Sequence, residues 1–142
     1  MKILVSGGLG FIGSALIRSL LNNEDYQILN IDKCSYASMP EALEGRESLK
    51  NYSFKKIDIK NASEVESAIA EFKPNKIFHL AAESHVDRSI TGPQEFLNTN
   101  ILGTFNILES IRKNLTNLSK DFILIHVSTD EVFGSLKFDD SL

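Results

Sequence analysis

The sequence has no tryptophan, one cysteine and three prolines in 142 residues. Because Cys34 has no second cysteine to pair with, an internal disulfide is excluded, and no metal-ligand spacing is present. No apolar run approaches the ~20 residues that cross a bilayer, and no basic flank precedes a signal-type apolar stretch. These absences predict a cytoplasmic protein with no metal ion and no membrane partner.

Clusters of basic residues are also lacking. The net charge of −4 is not offset by any basic cluster, so nucleic acid and anionic membranes are poor candidate partners. The length suits one domain that buries most of its apolar surface on folding. With 42% hydrophobic and 24% charged residues, the composition is that of an ordinary globular protein.

A glycine-rich stretch follows the first apolar run, residues 3–5, and leads into an amphipathic segment. Gly7, Gly10 and Gly13 fit G-x-x-G-x-x-G, whereas Gly8 with the last two fits G-x-G-x-x-G, and the sequence does not choose between these registers. Glycines let a backbone approach a pyrophosphate, and a helix N-terminus offers unpaired N–H groups. We interpret the stretch as a phosphate-binding turn; the alternative is a strand-to-helix turn that binds nothing.

An acidic residue ends the second apolar run. Asp32 follows residues 26–31 and lies nineteen residues beyond Gly13, close to the ~20 at which dinucleotide-binding folds place the acid that bonds the adenosine ribose. Strand, turn, helix, strand and acid occur in order, which predicts dinucleotide binding. A carboxylate there would repel a 2′-phosphate, so NAD is favoured over NADP. The positive charge of neighbouring Lys33 weakens the preference for NAD without reversing it.

Apolar runs and amphipathic segments alternate along the chain. The predicted strands are residues 3–5, 26–31, 52–57, 76–82 and 122–127. Between them, apolar residues recur at helical spacing, as in Val65, Ala68, Ile69 and Phe72. This alternation predicts an α/β fold, a doubly wound parallel sheet of order 3-2-1-4-5 with right-handed crossovers.

Two of the predicted helices carry apolar stripes that we assign to the core. The stripe of the first consists of Phe11, Ile12, Ala15, Leu16, Ser19 and Leu20. That of a long helix, from about residue 94 to 115, consists of Leu97, Ile101, Phe105, Leu108, Ile111 and Leu115, widened by Phe96, Gly103 and Ile107. The second arc is larger than one sheet contact needs, which predicts a further buried contact and a homo-oligomer, most simply a dimer.

A hydroxyl and two adjacent carboxylates follow the fifth predicted strand: Thr129, Asp130 and Glu131. In the predicted topology, strands 1, 4 and 5 are neighbours, so this tripeptide, the glycine turn and the loop 81–88 open on one crevice. If the pKa values of the two carboxyl groups are pushed apart, one can act as acid and the other as base. The alternative is a hydroxyl-capped acidic turn.

Several motifs recur together along the chain: residues 6–14, Asp32-Lys33, Asp58-Ile59, residues 79–90, Asn98-Thr99-Asn100 with Gly103-Thr104, and residues 126–134. Together they resemble the amino-terminal half of the dTDP-glucose 4,6-dehydratases, which belong to the extended short-chain dehydrogenase/reductases. Thr-Asp-Glu marks the dehydratases, whereas sugar-nucleotide epimerases of the superfamily usually lack the acidic pair. The resemblance implies a Rossmann-type NAD-binding domain over residues 1–142.

The resemblance also implies a reaction, the conversion of dTDP-glucose to dTDP-4-keto-6-deoxyglucose and water. NAD takes a hydride from C4 of this nucleotide sugar and returns it to C6. Glu131 would remove the C5 proton, Asp130 would protonate the departing 6-hydroxyl group, and Thr129 would hydrogen-bond the 4-oxygen. Ser84 is a second implied substrate contact.

The family pattern implies contacts with NAD in addition to the glycines and Asp32. These are Phe11, Ile12, Lys33, Cys34, Ser35, Asp58, Ile59, Leu80, Ala81, Ala82, Glu83, Ser84 and Thr99. At Phe11 and Ile12 we expect contact mainly through backbone N–H groups, because their side chains are assigned to the core.

One departure from the family pattern is large. Family members place a Tyr-x-x-x-Lys pair after Thr-Asp-Glu, whereas the only tyrosines here are Tyr26, Tyr36 and Tyr52. The resemblance implies that the last strands and the carboxy-terminal substrate domain are absent from this chain, so we expect that it alone does not turn over substrate. Two alternatives stay open: a non-catalytic NAD-binding module or truncated remnant, and a nucleotide-sugar epimerase or decarboxylase.

Overall fold

In the computed structural model, which describes residues 1–134, a five-stranded sheet forms the centre of the molecule. The strands are β1 (Lys2–Ser6), β2 (Gln27–Asp32), β3 (Tyr52–Lys56), β4 (Lys76–His79) and β5 (Ile123–His126). Their order is β3-β2-β1-β4-β5, and every pairing is parallel. The predicted fold class and strand order are confirmed.

Helices follow the strands on both faces of the sheet. They are α1 (Phe11–Leu20), α2 (Ala62–Phe72), α3 (Val86–Thr91), α4 (Pro93–Phe96) and α5 (Thr104–Asn114). A π-helical segment, Leu97–Gly103, joins α4 to α5, and short 3-10 helices cover Pro40–Leu43, Leu115–Asn117 and Asp130–Phe133. Among the helices of residues 1–134, none has the length and apolar character of a membrane span.

Side chains that alternate along β1 build two separate cores. Ile3 and Val5 pack in one cluster with Ile17 of α1, whereas Leu4 packs on the opposite face in a cluster that includes Ile69 of α2. Successive residues of a strand face opposite sides of a sheet. The continuous apolar run at the start of the sequence therefore reflects a central parallel strand that is covered on both faces.

The predicted core stripe of α1 is wrong for most of its residues, although Leu20 packs against the core. Phe11 and Ile12 are 81% and 60% exposed, and the residues that α1 buries are Gly13, Ser14 and Ile17. A Cβ on Gly13 would overlap a carbonyl oxygen of the glycine turn, so the helix approaches that turn too closely for a larger side chain. Small residues mark the contact face of this helix, and apolar periodicity alone misplaces it.

The predicted long helix is present as α4, the π-helical segment and α5 in succession, but most of its predicted core face is exposed. Leu97, Ile101, Phe105 and Leu108 are between 50% and 64% exposed. Gly103, Ile107 and Ile111 are buried, as predicted, but the other buried residues are polar: Thr99, Asn106, Ser110 and Asn114.

Polar contacts and close packing explain why the buried face of this helix differs from the predicted one. The buried Asn106 side chain donates to the carbonyl oxygens of Ile59 and Lys60, at 2.9 and 3.1 Å. A Cβ on Gly103 would lie 2.5 Å from the Ile59 side chain, so glycine is needed at this contact. The wider turns of a π-helix also shift the phase of every later residue. Asparagine and glycine therefore face the core, while leucine and phenylalanine face outward.

Candidate functional site

The turn after β1 has a conformation that suits glycine. Gly7 has a φ of +75°, and a Cβ on it would lie 2.6 Å from the Ala81 nitrogen and 2.9 Å from the Leu80 carbonyl carbon. Its N–H donates to the Ile31 carbonyl oxygen at 2.9 Å. The backbone of the turn is thus pressed against the chain that leaves β4, and no side chain separates the two.

The structure distinguishes the two glycine registers. Gly7 and Gly10 line a cleft, whereas Gly8 is buried, and a Cβ on it would overlap the side chain of Asn30 on β2. The G-x-x-G-x-x-G register therefore describes the cleft, and Gly8 allows the turn to pack closely on the sheet.

The glycine turn leads into the amino end of α1. Gly10 precedes the helix and has no side chain with which to cap it. The first N–H groups of a helix have no intrahelical acceptor, and the helix dipole favours an anion there. The expected role of Phe11 and Ile12 through their N–H groups is independent of their side chains, which are exposed rather than in the core.

Asp32, at the carboxyl end of β2, connects two loops. Its Oδ2 accepts a hydrogen bond from the Leu9 N–H at 3.0 Å, and its Oδ1 accepts from the Cys34 N–H at 2.8 Å and the Ser38 hydroxyl at 3.0 Å. The residue is only 8% exposed but lines the cleft. Because a carboxylate offers about four acceptor sites, it can still accept a hydrogen bond from a ligand hydroxyl.

The cleft opens at the carboxyl ends of the strands, where β1 lies between β2 and β4. Open α/β sheets bind ligands at such a reversal of strand order. The structure brings the following predicted residues together in its lining: Gly7, Gly10, Asp32, Lys33, Ser35, Ile59, Leu80, Ala81, Ala82 and Thr99. The cleft is therefore built from most of the segments that the sequence singled out.

Other residues of the lining were missed, and some predicted ones lie outside it. Ala37, Ser38 and Ile57 line the cleft without having been predicted. Ser38 could have been suspected only as a hydroxyl close after an acid; Ala37 and Ile57 carry no local signal. Of the described residues, the predicted contacts outside the lining are Phe11, Ile12, Gly13, Cys34, Asp58, Glu83 and Ser84.

A network of charged side chains lies at the rim of the cleft. The Lys33 Nζ is 2.6 Å from Glu83 Oε1 and 3.2 Å from Glu95 Oε1, and the Lys60 Nζ is 2.7 Å from the same Glu95 oxygen. Burial lowers the pKa of Lys33, but its hydrogen bonds to the two glutamates outweigh burial and raise the pKa above its ordinary value. The pKa of Glu95 is lowered, chiefly by its hydrogen bond with Lys60.

His79 is a buried interior residue. Its Nδ1 lies 2.7 Å from Ser6 Oγ and its Nε2 lies 3.0 Å from Thr104 Oγ1. Burial, together with the His126 ring stacked 5.0 Å away, lowers the pKa of His79 to about 4. His126 itself is exposed. Residues 1–134 contain no group of three or more His, Cys, Asp or Glu side chains that could hold a metal ion.

Thr129, Asp130 and Glu131 lie just beyond the carboxyl end of β5, next to β4. The Thr129 Oγ1 is 3.5 Å from Asp130 Oδ1 and 3.3 Å from Glu131 Oε2, and it accepts a hydrogen bond from the Glu131 N–H at 3.4 Å. All three residues are exposed, as is Ser84. They lie at the same edge of the sheet as the cleft but do not line the cleft. A catalytic tripeptide and a capped acidic turn both fit this geometry.

The chain was compared with protein families and with curated proteins. A family model described as GDP-mannose 4,6 dehydratase matches residues 4–140. The chain belongs to this family. Two similar members of this dehydratase family are the dTDP-glucose 4,6-dehydratase of Escherichia coli, 47% identical over 146 residues, and the probable dTDP-glucose 4,6-dehydratase of Sinorhizobium fredii, 49% identical over 140 residues. These alignments cover 100% and 96% of this chain but only 40% of each relative.

Solved structures of this dehydratase family have the same fold. The dTDP-glucose 4,6-dehydratase of Bacillus anthracis is 35% identical, with a TM-score of 0.81 over 97% of this chain and 40% of its own. That of Streptomyces venezuelae is 35% identical, with a TM-score of 0.84 over 96% and 42%. Both of those enzymes were crystallised with NAD. A UDP-Glc/GlcNAc 4-epimerase of Campylobacter jejuni is 29% identical, with a TM-score of 0.81 over 94% and 38%.

Proposed function

We propose that this chain is the NAD-binding part of a nucleotide-sugar 4,6-dehydratase that acts on dTDP-glucose. The observation that carries the proposal is the cradle of backbone at Gly7, where a side chain would strike Ala81, beside the amino end of α1 and across from Asp32. Such a cradle suits a pyrophosphate, and the carboxylate suits the hydroxyls of a ribose. The NAD that accompanies the dehydratase structures of Bacillus anthracis and Streptomyces venezuelae supports the same cofactor here.

Each part of the cleft would hold one part of NAD. Gly7, Gly10 and the N–H groups of residues 11–13 would receive the two phosphates, and Asp32 would accept hydrogen bonds from the adenosine ribose. Further contacts would come from Lys33, Cys34, Ser35, Asp58, Ile59, Leu80, Ala81, Ala82, Glu83, Ser84 and Thr99.

The tripeptide after β5 would carry the proton transfers of the elimination, whereas the family pattern assigns the 4-hydroxyl proton to the tyrosine of the Tyr-x-x-x-Lys pair. When bound, NAD would supply the hydride acceptor for C4 of the sugar and the hydride donor for C6. Glu131 would take the C5 proton, and Asp130 would protonate the 6-hydroxyl group that leaves as water. When the hydride returns to C6, Glu131 would return the proton to C5. The hydroxyls of Thr129 and Ser84 would hydrogen-bond the sugar. The Thr129 Oγ1, 3.3 Å from Glu131 Oε2, could turn to the 4-oxygen instead.

Isothermal titration of the chain with NAD tests the cofactor part. We expect measurable binding of NAD, only weak binding of dTDP-glucose, and about a tenfold loss of NAD affinity in Asp32→Asn, or about 1.4 kcal/mol. The matched control is Asp25→Asn, because Asp25 is an exposed acid at the opposite end of the sheet. Absence of NAD binding, or an equal loss in both variants, would contradict the proposal.

The catalytic part can be tested by grafting residues 1–142 onto the matching position of the Escherichia coli relative. We expect this chimera to form the 4-keto-6-deoxy sugar and Glu131→Gln to reduce its turnover by at least about a hundredfold, the contribution typical of a general base. Asp121→Asn, at the opposite end of β5, is the control.

An epimerase is the second candidate, because the Campylobacter jejuni epimerase shares the fold at 29% identity. Asp130 and Glu131 favour the dehydratase. A chimera that exchanges the configuration at C4, without loss of water and with little effect of Glu131→Gln, would favour the epimerase. A chimera that binds NAD and shows neither reaction would favour a non-catalytic NAD-binding module.

We also propose that two copies of the chain pair through the exposed side of the long helix. The exposed apolar residues there are Leu97, Ile101, Phe105 and Leu108, which are spaced three or four residues apart. This stripe runs along a helix whose other side is buried. A self-complementary apolar seam is the form of interface that a two-fold dimer uses.

A further inference from the structure

Lys33 presents a conflict at the ribose edge of the cleft. It directly follows Asp32, and both residues line the cleft. A lysine ammonium is a good ligand for a phosphate, so a free Lys33 would attract the 2′-phosphate of NADP to the place where Asp32 repels it. Whether the cleft prefers NAD or NADP therefore depends on which groups the Lys33 ammonium contacts.

Two carboxylates engage that charge. The Lys33 Nζ lies 2.6 Å from Glu83 Oε1 and 3.2 Å from Glu95 Oε1. Glu95 is shared with Lys60, at 2.7 Å, whereas the Glu83 side chain is 7% exposed and its nearest cation is Lys33. The two glutamates together balance the charges of Lys33 and Lys60, and Glu83 is the carboxylate nearer to Lys33.

The position of Glu83 does not depend on this ion pair. Its backbone N–H donates to the Asn100 Oδ1 at 2.8 Å, and its carbonyl oxygen accepts from the Asn100 Nδ2 at 2.9 Å. The side chain of Asn100 therefore fixes the main chain of Glu83. A change of the Glu83 carboxylate alone should leave the loop after β4 in place and leave Lys33 with only its longer contact to Glu95, at 3.2 Å.

We propose that Glu83, assisted by Glu95, is a specificity-determining residue that keeps the Lys33 ammonium from serving as a 2′-phosphate ligand. This inference deepens the proposed NAD-binding function and rests on it. In the resulting cleft, Asp32 acts without a free neighbouring cation, and dinucleotides without a 2′-phosphate are selected. Selection against NADP then depends on two regions, Asp32 at the end of β2 and Glu83 in the loop after β4.

The test is the affinity of the chain for NAD and for NADP, measured by isothermal titration at low salt. We expect Glu83→Gln to raise the affinity for NADP relative to NAD by about tenfold, and the double variant Glu83→Gln/Lys33→Met to abolish the gain. Glu109→Gln removes an equal charge from an ion pair with Arg112 on α5, so it should leave the ratio unchanged.

Three results separate the possible failures. If the wild-type chain binds NAD and Glu83→Gln leaves the ratio unchanged, or the gain persists without Lys33, the inference is overturned and the NAD site stands. If the wild-type chain binds neither dinucleotide, the proposed function fails and the inference fails with it. If Glu83→Gln does not fold, as judged by thermal denaturation, Glu95→Gln provides the same test, with an expected gain of a few-fold.

Discussion

At the scale of single residues, Gly7 and Gly45 have nearly the same φ angle in different surroundings. Their φ values are +75° and +78°, but a Cβ on Gly7 would meet the backbone of Ala81 at 2.6 Å, whereas a Cβ on Gly45 would have nothing within 4 Å. Gly45→Ala should therefore lower the free energy of unfolding by about 1–2 kcal/mol, the strain of a left-handed alanine.

Gly7→Ala carries the same strain and a clash with backbone in addition. We expect it to lower the free energy of unfolding by about 1–3 kcal/mol more than Gly45→Ala, as overpacking does. Urea denaturation of the two variants measures the difference. Equal losses of stability would show that the turn does not press on the β4 extension as described.

The pKa of His79 predicts a dependence of stability on pH. Its folded pKa is about 4, below the value near 6.5 of an unfolded histidine, so the unfolded chain binds more protons between these pH values. The contribution is complete above pH 6.5 and is lost as the pH falls toward 4, by at most about 3 kcal/mol. Urea denaturation from pH 4 to 7.5 should show this slope. His79→Gln should flatten it, whereas the same change at exposed His85 should not; equal slopes would contradict the assignment.

At the scale of elements, Asn106 joins α5 to the loop after β3. Its side chain supplies hydrogen bonds to two carbonyl oxygens, of Ile59 and Lys60. Asn106→Ala should lower the free energy of unfolding by about 1–3 kcal/mol, because the buried acceptor of Ile59 loses its donor. NAD affinity should also fall, since Ile59 lines the cleft.

The matched control for Asn106 is Asn114, which is also buried but donates to Ser110 within its own helix. Asn114→Ala should cost less than about 1 kcal/mol and leave NAD affinity unchanged, because no bond between elements is lost. Stability from urea denaturation and affinity from titration report the two effects separately. A larger loss in the Asn114 variant would contradict the role given to Asn106.

The elements also show what the sequence could and could not predict. Strand order followed from alternation, and the apolar spacing of Val65, Ala68 and Ile69 identified the buried face of α2. The contact face of α1 and the buried polar residues of α5 did not follow. Contact at Gly13 and Asn106 is decided by close approach and by hydrogen bonds to distant loops, and neither leaves an apolar period in the sequence.

The same limit applies to the cleft. Segments that follow strands β1, β2 and β4 could be assigned to it because parallel strands end at one edge of the sheet. Ala37 and Ser38 could not, because their place depends on how the loop after β2 folds back. That fold depends on bonds such as Met39 N–H to Leu9 carbonyl oxygen, at 2.7 Å, between residues thirty positions apart.

At the scale of the whole molecule, the proposed pairing through the long helix predicts self-association. In sedimentation velocity, the chain should form dimers, and the double variant Ile101→Lys/Phe105→Lys should sediment as a monomer, because buried charge destabilises an apolar interface. Ile90→Lys is the control, since Ile90 is 77% exposed on α3 and outside the stripe. A monodisperse wild-type monomer would contradict the proposal.

The hydrogen bonds of the Asp32 carboxylate affect how quickly the cleft can bind a cofactor. The carboxylate accepts hydrogen bonds from Leu9 in the glycine turn and from Cys34 and Ser38 in the next loop. The Met39 N–H of that loop also donates to the Leu9 carbonyl oxygen, so the two loops are joined by a shared set of hydrogen bonds. The amide protons of Leu9, Cys34 and Met39 should then exchange with deuterium in concert, and slowly even before any cofactor arrives. Because the site is formed before the ligand binds, little conformational entropy is lost on binding. The association rate should therefore be limited by diffusion and orientation rather than by folding of the loops.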